Sequence, residues 1–320
     1  MKPLLEVRNL RAYYETGSKP VRAVDEVSFD VLEKEVLGIA GESGCGKSTL
    51  AKAILRLLKP PGYVKGGEVI FKGRNLLKMS DDELRKIRWK HISYVPQGSM
   101  NSLNPVMRVE EQIADAIRIH EGNIPKVELR ERIKDLLTSV GLPQEVMKMY
   151  PHELSGGMRQ RVIIAMAIAL APELIIADEP TTALDVVVQR GILQLLADVR
   201  EKLGSSIVII THDIAALAEI VDRLIIMYAG KIVEIGNVLD VFKKPLHPYT
   251  HALISATPSI KEKKELKGLP GLPPDLRNPP SGCRFHPRCP YAIRGKCDVE
   301  EPKLIEIEPN RFVACHLYGD

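Results

Sequence analysis

The sequence predicts an α/β protein with a mostly parallel sheet covered by helices, a helical insertion, and a C-terminal tail of different texture. Three observations predict it. Short apolar, β-branched runs alternate with segments of helical period. A glycine-rich turn joins one such run to a helix at 36–58. After about Val241, periodicity fades and Pro and Gly become dense.

The first strand candidates are Leu5 to Leu10, Val27 to Val31 and Val36 to Ala40. Gly41 to Thr49 forms the turn, and Leu50 to Leu58 reads as a helix stopped by Pro60-Pro61-Gly62. Ile92 to Val95 is a further short run. From about Met100 the pattern changes, and Val109 to His120 and Val127 to Val140 carry apolar residues at helical spacing. The core resumes with Leu174 to Ala177, Ile207 to Ile210 and Leu224 to Met227, runs apolar enough to be buried on both faces. The tail carries Gly268-Leu-Pro-Gly-Leu-Pro-Pro274 and Asn278-Pro-Pro-Ser-Gly282, a composition too poor in core-forming pattern to order itself without another source of stability.

A chain of 320 residues with 45% hydrophobic and 27% charged residues is ordinary for a globular protein. The most apolar run, Val162 to Ala171, falls well short of the roughly 20 residues needed to span a bilayer. The start, MKPLLEVRNL, lacks the regions of a signal peptide. A cytosolic protein reaching membranes through a partner is the expectation. The net charge of +4 is scattered, without the basic stripe of a nucleic-acid footprint, so no nucleic-acid partner is expected. Four of the five cysteines lie between 283 and 315.

Gly41-Glu-Ser-Gly-Cys-Gly-Lys-Ser-Thr49 matches the phosphate-loop pattern G-x-x-x-x-G-K-[ST]. Gly41, Gly44 and Gly46 let backbone approach phosphate oxygens, and Ser43, Cys45, Ser48 and Thr49 complete the cradle with their N–H groups. Lys47 is placed for the β- and γ-phosphates and Ser48 for Mg²⁺. A chance glycine-rich turn is the bland alternative, disfavoured by the strand before it and the helix after it. Cys45 poses a separate question. Beside Lys47 and a helix N-terminus its thiol could be acidic and reactive, or it could simply be a small residue.

Leu154-Ser-Gly-Gly-Met-Arg-Gln-Arg161 resembles the signature of ATP-binding-cassette (ABC) ATPases. The resemblance implies that Ser155, Gly156 and Gly157 bind the γ-phosphate held by an opposite subunit. Further motifs follow in that family's order. Leu174-Ile-Ile-Ala-Asp178 resembles the Walker B strand, which implies that Asp178 acts on Mg²⁺ and that Glu179 is the general base for the attacking water. Ala183-Leu184-Asp185 resembles the D-loop, His212 the switch histidine, and Gln97 the Q-loop glutamine that senses Mg²⁺ and water. Tyr14 is positioned like the aromatic that stacks on adenine, with adjacent Tyr13 as the alternative. The resemblance covers residues 4 to about 240. It implies ATP hydrolysis by a nucleotide-binding domain at 1–240, with a RecA-like parallel core, an antiparallel β part and a helical subdomain at about 100–165.

Leu246-His-Pro-Tyr-Thr-His-Ala-Leu253, Gly282-Cys-Arg-Phe-His-Pro-Arg-Cys-Pro290, Cys297 and Ala314-Cys-His316 resemble the C-terminal extension of oligopeptide/dipeptide importer ATPases, here 241–320. Ser102-Leu-Asn-Pro105 is similar to the same group. Membership implies a second, as a rule non-identical, ATPase subunit, two membrane-spanning permease subunits and an extracellular substrate-binding protein. It also implies a place at the cytoplasmic face of the cell membrane. Cys283, Cys289, Cys297 and Cys315 are separated by five, seven and seventeen residues, matching neither zinc pairs nor ferredoxin spacing. The resemblance selects a [4Fe–4S] cluster, with zinc as the alternative and with His286 or His316 able to replace a thiolate. Cargo stays open between peptide and oligosaccharide. A soluble ABC ATPase acting on nucleic acid or ribosomes is the rival class, disfavoured by the single cassette and the C-terminal position of the cysteines.

Overall fold

The computed structural model describes residues 2–98, 102–256 and 271–319. The start of the helical segment at 100 and Gly268 to Pro270 of the Pro/Gly stretch lie outside the described residues. In chain order the elements are β1 (Pro3–Tyr14), β2 (Val21–Leu32), β3 (Val36–Ala40), α1 (Lys47–Ile54), β4 (Gly62–Phe71), β5 (Arg74–Asn75), α2 (Asp81–Ile87), β6 (Ile92–Val95), α3 (Val109–Glu121), α4 (Lys126–Ser139) and α5 (Gly156–Ile168). There follow β7 (Leu174–Asp178), α6 (Val186–Leu203), β8 (Ser206–Ile210), α7 (Ile214–Ala218), β9 (Arg223–Tyr228), β10 (Lys231–Asn237), α8 (Val238–Lys243), α9 (Pro248–Ser255), β11 (Ile305–Glu308) and β12 (Arg311–Val313). No helix among the described residues is long and apolar enough to cross a membrane.

The chain divides into two compact units, 1–78 with 210–320, and 79–209. In the first, β2-β1-β4-β5 form an antiparallel sheet, with Leu5 opposite Val31 and Phe71. A second group of strands pairs β3 with β9 in parallel and then continues antiparallel through β10, β12 and β11. In the second unit, β6 and β7 pair in parallel, Ile92 opposite Leu174, with β8 on the other side of β7. Strands β3, β7 and β8 are buried at every residue, as their unbroken apolar runs require. Helices α3 and α4 pack with each other and with α5 in this unit, and bury Ile113, Ile117, Leu129, Ile133 and Leu137.

The helix after the glycine turn differs from its expected span of 50–58. Gly46 caps it with a left-handed φ of 111°, so it opens at Lys47, and Arg56 at φ 51° stops it before the prolines are reached. β4 was not legible, because Gly62, Gly66 and Gly67 interrupt its apolar pattern and six successive residues, Tyr63 to Glu68, escape full burial.

The tail also differs from expectation, because it has a core. Phe285 is fully buried against Tyr228, Tyr249 and His247, at ring separations of 5.2, 5.4 and 5.7 Å. Three buried arginines each find a buried or half-buried acid: Arg284 pairs with Asp25, Arg288 with Glu42 and Arg311 with Glu234. The pair β11–β12 then extends the strands beyond β10. Aromatic packing, paired charges and strand addition supply the order that the composition seemed to lack.

Candidate functional site

The phosphate loop follows β3 in the first unit. A Cβ on Gly41 would run into the carbonyl oxygen of Met227, and one on Gly46 into that of Ala23, so these two positions admit only glycine. Ser43 and Gly44 are exposed at the crest of the loop, while Ser48 and Thr49 are half-buried in the first turn of α1, which has no side-chain cap. An uncapped helix start of this kind presents N–H groups and positive potential to an anion. Lys47 is 5% exposed and donates to the carbonyls of Gly41, at 2.7 Å, and Glu42, at 3.0 Å.

The two tyrosine candidates are separated by the structure. Tyr13 is buried and donates to Asp25 at 2.5 Å, whereas Tyr14 is half-buried with its hydroxyl 3.1 Å from Thr49 Oγ1 at the phosphate-loop helix. Cys45 is corrected. The residue is buried, and burial pushes its thiol up, with Lys47 opposing this only in part. His212 is exposed just before α7, whose first turn Asp213 caps by accepting from Ala216 N at 3.1 Å.

In the second unit, β7 delivers Asp178 and Glu179 to the end of a wholly buried strand. Asp178 has no exposed surface and accepts from the Tyr94 hydroxyl at 3.0 Å. Burial, reinforced by the charge of Asp178, pushes that hydroxyl far above its ordinary range, so Tyr94 stays a donor. Glu179 adopts a left-handed φ of 48°, uncommon outside glycine, which turns its side chain out of the strand's alternation. Its Oε2 accepts from Gln97 Nε2 and from Thr182 Oγ1, both at 2.9 Å. Gln97 and Glu179, 82 residues apart in sequence, thus meet directly. Sequence reasoning missed Tyr94 and Thr182. Tyr94 carried one usable signal, an aromatic hydroxyl on a short strand three residues before Gln97. Ser155 is exposed and caps α5, its hydroxyl accepting from Met158 N at 3.3 Å, with Gly156 and Gly157 opening the helix.

The four tail cysteines are half-buried free thiols. Burial pushes Cys283 up to about 11, with smaller contributions from Cys315, Cys297 and Cys289, and burial also raises Cys289 and Cys315. Among the described residues, no group of three or more His, Cys, Asp or Glu is placed to hold a metal ion. The expected metal-cysteine extension is corrected to that extent. The case for it assumed a tail without a core, and Phe285, Arg284, Arg288 and Arg311 provide one. The two histidines are also engaged, His286 with the carbonyl of Cys283 at 3.0 Å and His316 with that of Glu300 at 2.8 Å.

Comparison with known proteins gives the family. Residues 24–182 match the family model described as ABC transporter, and 233–297 match that of the oligopeptide/dipeptide transporter C-terminal region. The dipeptide transport ATP-binding protein DppD of Caldanaerobacter subterraneus subsp. tengcongensis is 45% identical, over 100% of this chain and 98% of its own. The oligopeptide transport ATP-binding protein OppD of Bacillus subtilis is also 45% identical, over 98% of this chain and 88% of its own. A solved dimeric ATP-binding cassette in a post-hydrolysis state, bound to ADP and Pi, superposes with a TM-score of 0.66 at 32% identity, covering 73% of this chain and 98% of that one. With its fold, its phosphate loop and both family models in agreement, the chain belongs to the ABC transporter ATPases, in their oligopeptide/dipeptide group.

Proposed function

We propose that this chain powers uptake of peptides, as one of two ATPase subunits beneath two permease subunits at the cytoplasmic face of the membrane, fed by an extracellular substrate-binding protein. The observation that carries the reading is the end-to-end match to dipeptide and oligopeptide transport ATP-binding proteins, including the tail at 233–297. The cassette is assigned to 1–240 and the extension to 241–320.

Roles follow motif by motif. Gly41, Ser43, Gly44, Cys45, Gly46, Lys47, Ser48 and Thr49 cradle the phosphates, and Tyr14 stacks on adenine. Ser48, Gln97 and Asp178 are hard oxygen donors of the kind Mg²⁺ takes, and the ion supplies charge neutralisation between the phosphates when bound. Glu179, held by Gln97 and Thr182, orients and deprotonates the attacking water. His212 contacts the γ-phosphate. Ser155, Gly156 and Gly157 serve the nucleotide of the opposite subunit, so hydrolysis requires assembly.

The test is reconstitution with the partner ATPase, permeases and binding protein. Hydrolysis should be low for the isolated chain and should rise on assembly and again with peptide. A proven monomer hydrolysing ATP as fast as the assembly overturns the shared site, and stimulation by oligosaccharide but not peptide overturns the cargo.

A [4Fe–4S] cluster on Cys283, Cys289, Cys297 and Cys315, with zinc as alternative, rests on the resemblance of the tail alone. Iron, sulfide and zinc analysis of protein purified without oxygen decides it, and metal-free protein with an ordered tail eliminates both.

A further inference from the structure

The second residue of the phosphate loop is an acid. A carboxylate at Glu42 belongs to the loop read as the phosphate cradle and, left alone, would oppose an anionic ligand. The structure does not leave it alone. Arg288 reaches Glu42 with both terminal nitrogens, Nη1 to Oε2 at 2.8 Å and Nη2 to Oε1 at 3.0 Å, a two-pronged pair. The Arg288 side chain is only 6% exposed. Its guanidinium lies over the Tyr228 ring at 5.8 Å and donates to the Tyr228 hydroxyl at 3.3 Å.

Glu42 is gripped at its backbone as well. Its N–H donates to the hydroxyl of Tyr249 at 2.8 Å, and its carbonyl accepts from Lys47. Tyr249 comes from α9 and Arg288 from the turn at His286–Arg288, so two separate parts of the tail converge on one loop residue. A parallel route runs beside it. Arg284 bonds the carbonyl of Ala229, and the next residue, Gly230, donates to the carbonyl of Cys45 at 2.9 Å.

We infer that Arg288 is a positioning residue for the phosphate loop, acting through Glu42, and that the C-terminal extension thereby sets the loop's affinity for nucleotide phosphates. Arg288 cancels the one charge in the loop that opposes the ligand, and it fixes the carboxylate so that the carbonyls holding Lys47 stay in register. The proposal rests on the reading of Gly41 to Thr49 as the phosphate cradle.

The experiment is a titration of the full-length chain with MgADP by calorimetry, with the thermal midpoint of each variant recorded in parallel. Lys47→Ala tests the cradle itself, and unchanged affinity there overturns that reading and this one with it. Arg288→Ala should weaken MgADP binding about tenfold, the scale of a two-pronged charged hydrogen bond. Arg288→Lys, which keeps the charge but not the fork, should fall between wild type and Arg288→Ala. The uncharged pair Glu42→Gln with Arg288→Met should recover most of the affinity, because the repelling carboxylate has gone. A merely structural role would lower the midpoint of Arg288→Ala and of the uncharged pair alike, without restoring affinity in the second. Binding by folded Arg288→Ala within about twofold of wild type, or no recovery in the uncharged pair, overturns the proposal. If Arg288→Ala does not fold, Arg288→Lys equal to wild type overturns it instead.

Discussion

The phosphate loop and the acid pair Asp178–Glu179 both emerge from the end of a wholly buried strand, yet they are held in opposite ways. Around the loop the charges are enclosed. Lys47 is buried on two carbonyls, and Glu42 is fixed at its N–H, its carbonyl and its carboxylate. Glu179 is half-buried, and its Oε2 accepts from exposed Gln97 and from Thr182, two neutral donors. Binding a triphosphate rewards a cradle organised in advance, because any reordering would subtract from affinity. Handling a water molecule rewards a carboxylate whose partners can be exchanged. On the proposed function, the enclosed loop suits binding, and the more open Glu179 suits a water whose site is completed by assembly.

The sharpest way to break this contrast is Glu179→Gln. In the reconstituted assembly, turnover should fall about 10³-fold, the scale of a general base, while MgADP affinity of the chain is unchanged. Hydrolysis near the wild-type rate would remove Glu179 from the base role. Lys47→Ala should do the reverse and weaken binding first.

A smaller effect is expected at Cys45, which lies on the enclosed side. Since it is buried and burial raises its thiol, alkylation at neutral pH, followed site by site with mass spectrometry, should run slower than for an ordinary free thiol. Labelling faster than that of a free cysteine would show that the loop opens.

Much of this was legible in the sequence, for identifiable reasons. β3, β7 and β8 announce themselves because full burial demands unbroken apolar runs. Helices α3 and α4 follow from their period, and the phosphate loop from its glycines. The contacts among motifs were less visible. That Gln97 meets Glu179 depends on β6 pairing with β7, and on a left-handed turn that no residue type advertises. The tail was misread because its core is made of Tyr228, Tyr249, Phe285 and three arginines spread over more than 80 residues, which leave no local period. The cysteines drew attention from the residues beside them, Arg284 and Arg288, which form the contacts.

The smallest effect concerns how acid reaches the enclosed half. His247 is 1% exposed, caps α9 by accepting from Tyr249 N at 3.0 Å, and burial pushes it down to about 3. An unfolded histidine takes up its proton near pH 6.5, so the unfolded state binds more protons than the folded one throughout the interval from about 6.5 down to 3. Stability from this group is complete above that interval and is lost as pH falls through it. Glu234, which accepts from the N–H groups of Leu246 and His247 at 2.9 Å, works the other way, because burial raises its carboxyl and its contribution is lost as pH rises. His247→Asn separates the two, since asparagine keeps an acceptor at the helix cap but does not titrate. Between pH 7.5 and 5.5 the stability of wild type should fall by about 1.4 kcal/mol more than that of the variant, measured by denaturant unfolding. Equal slopes would mean that His247 is charged in the folded tail. In that case the aromatic core around Phe285, through which Tyr249 reaches Glu42, is wetter than its burial implies.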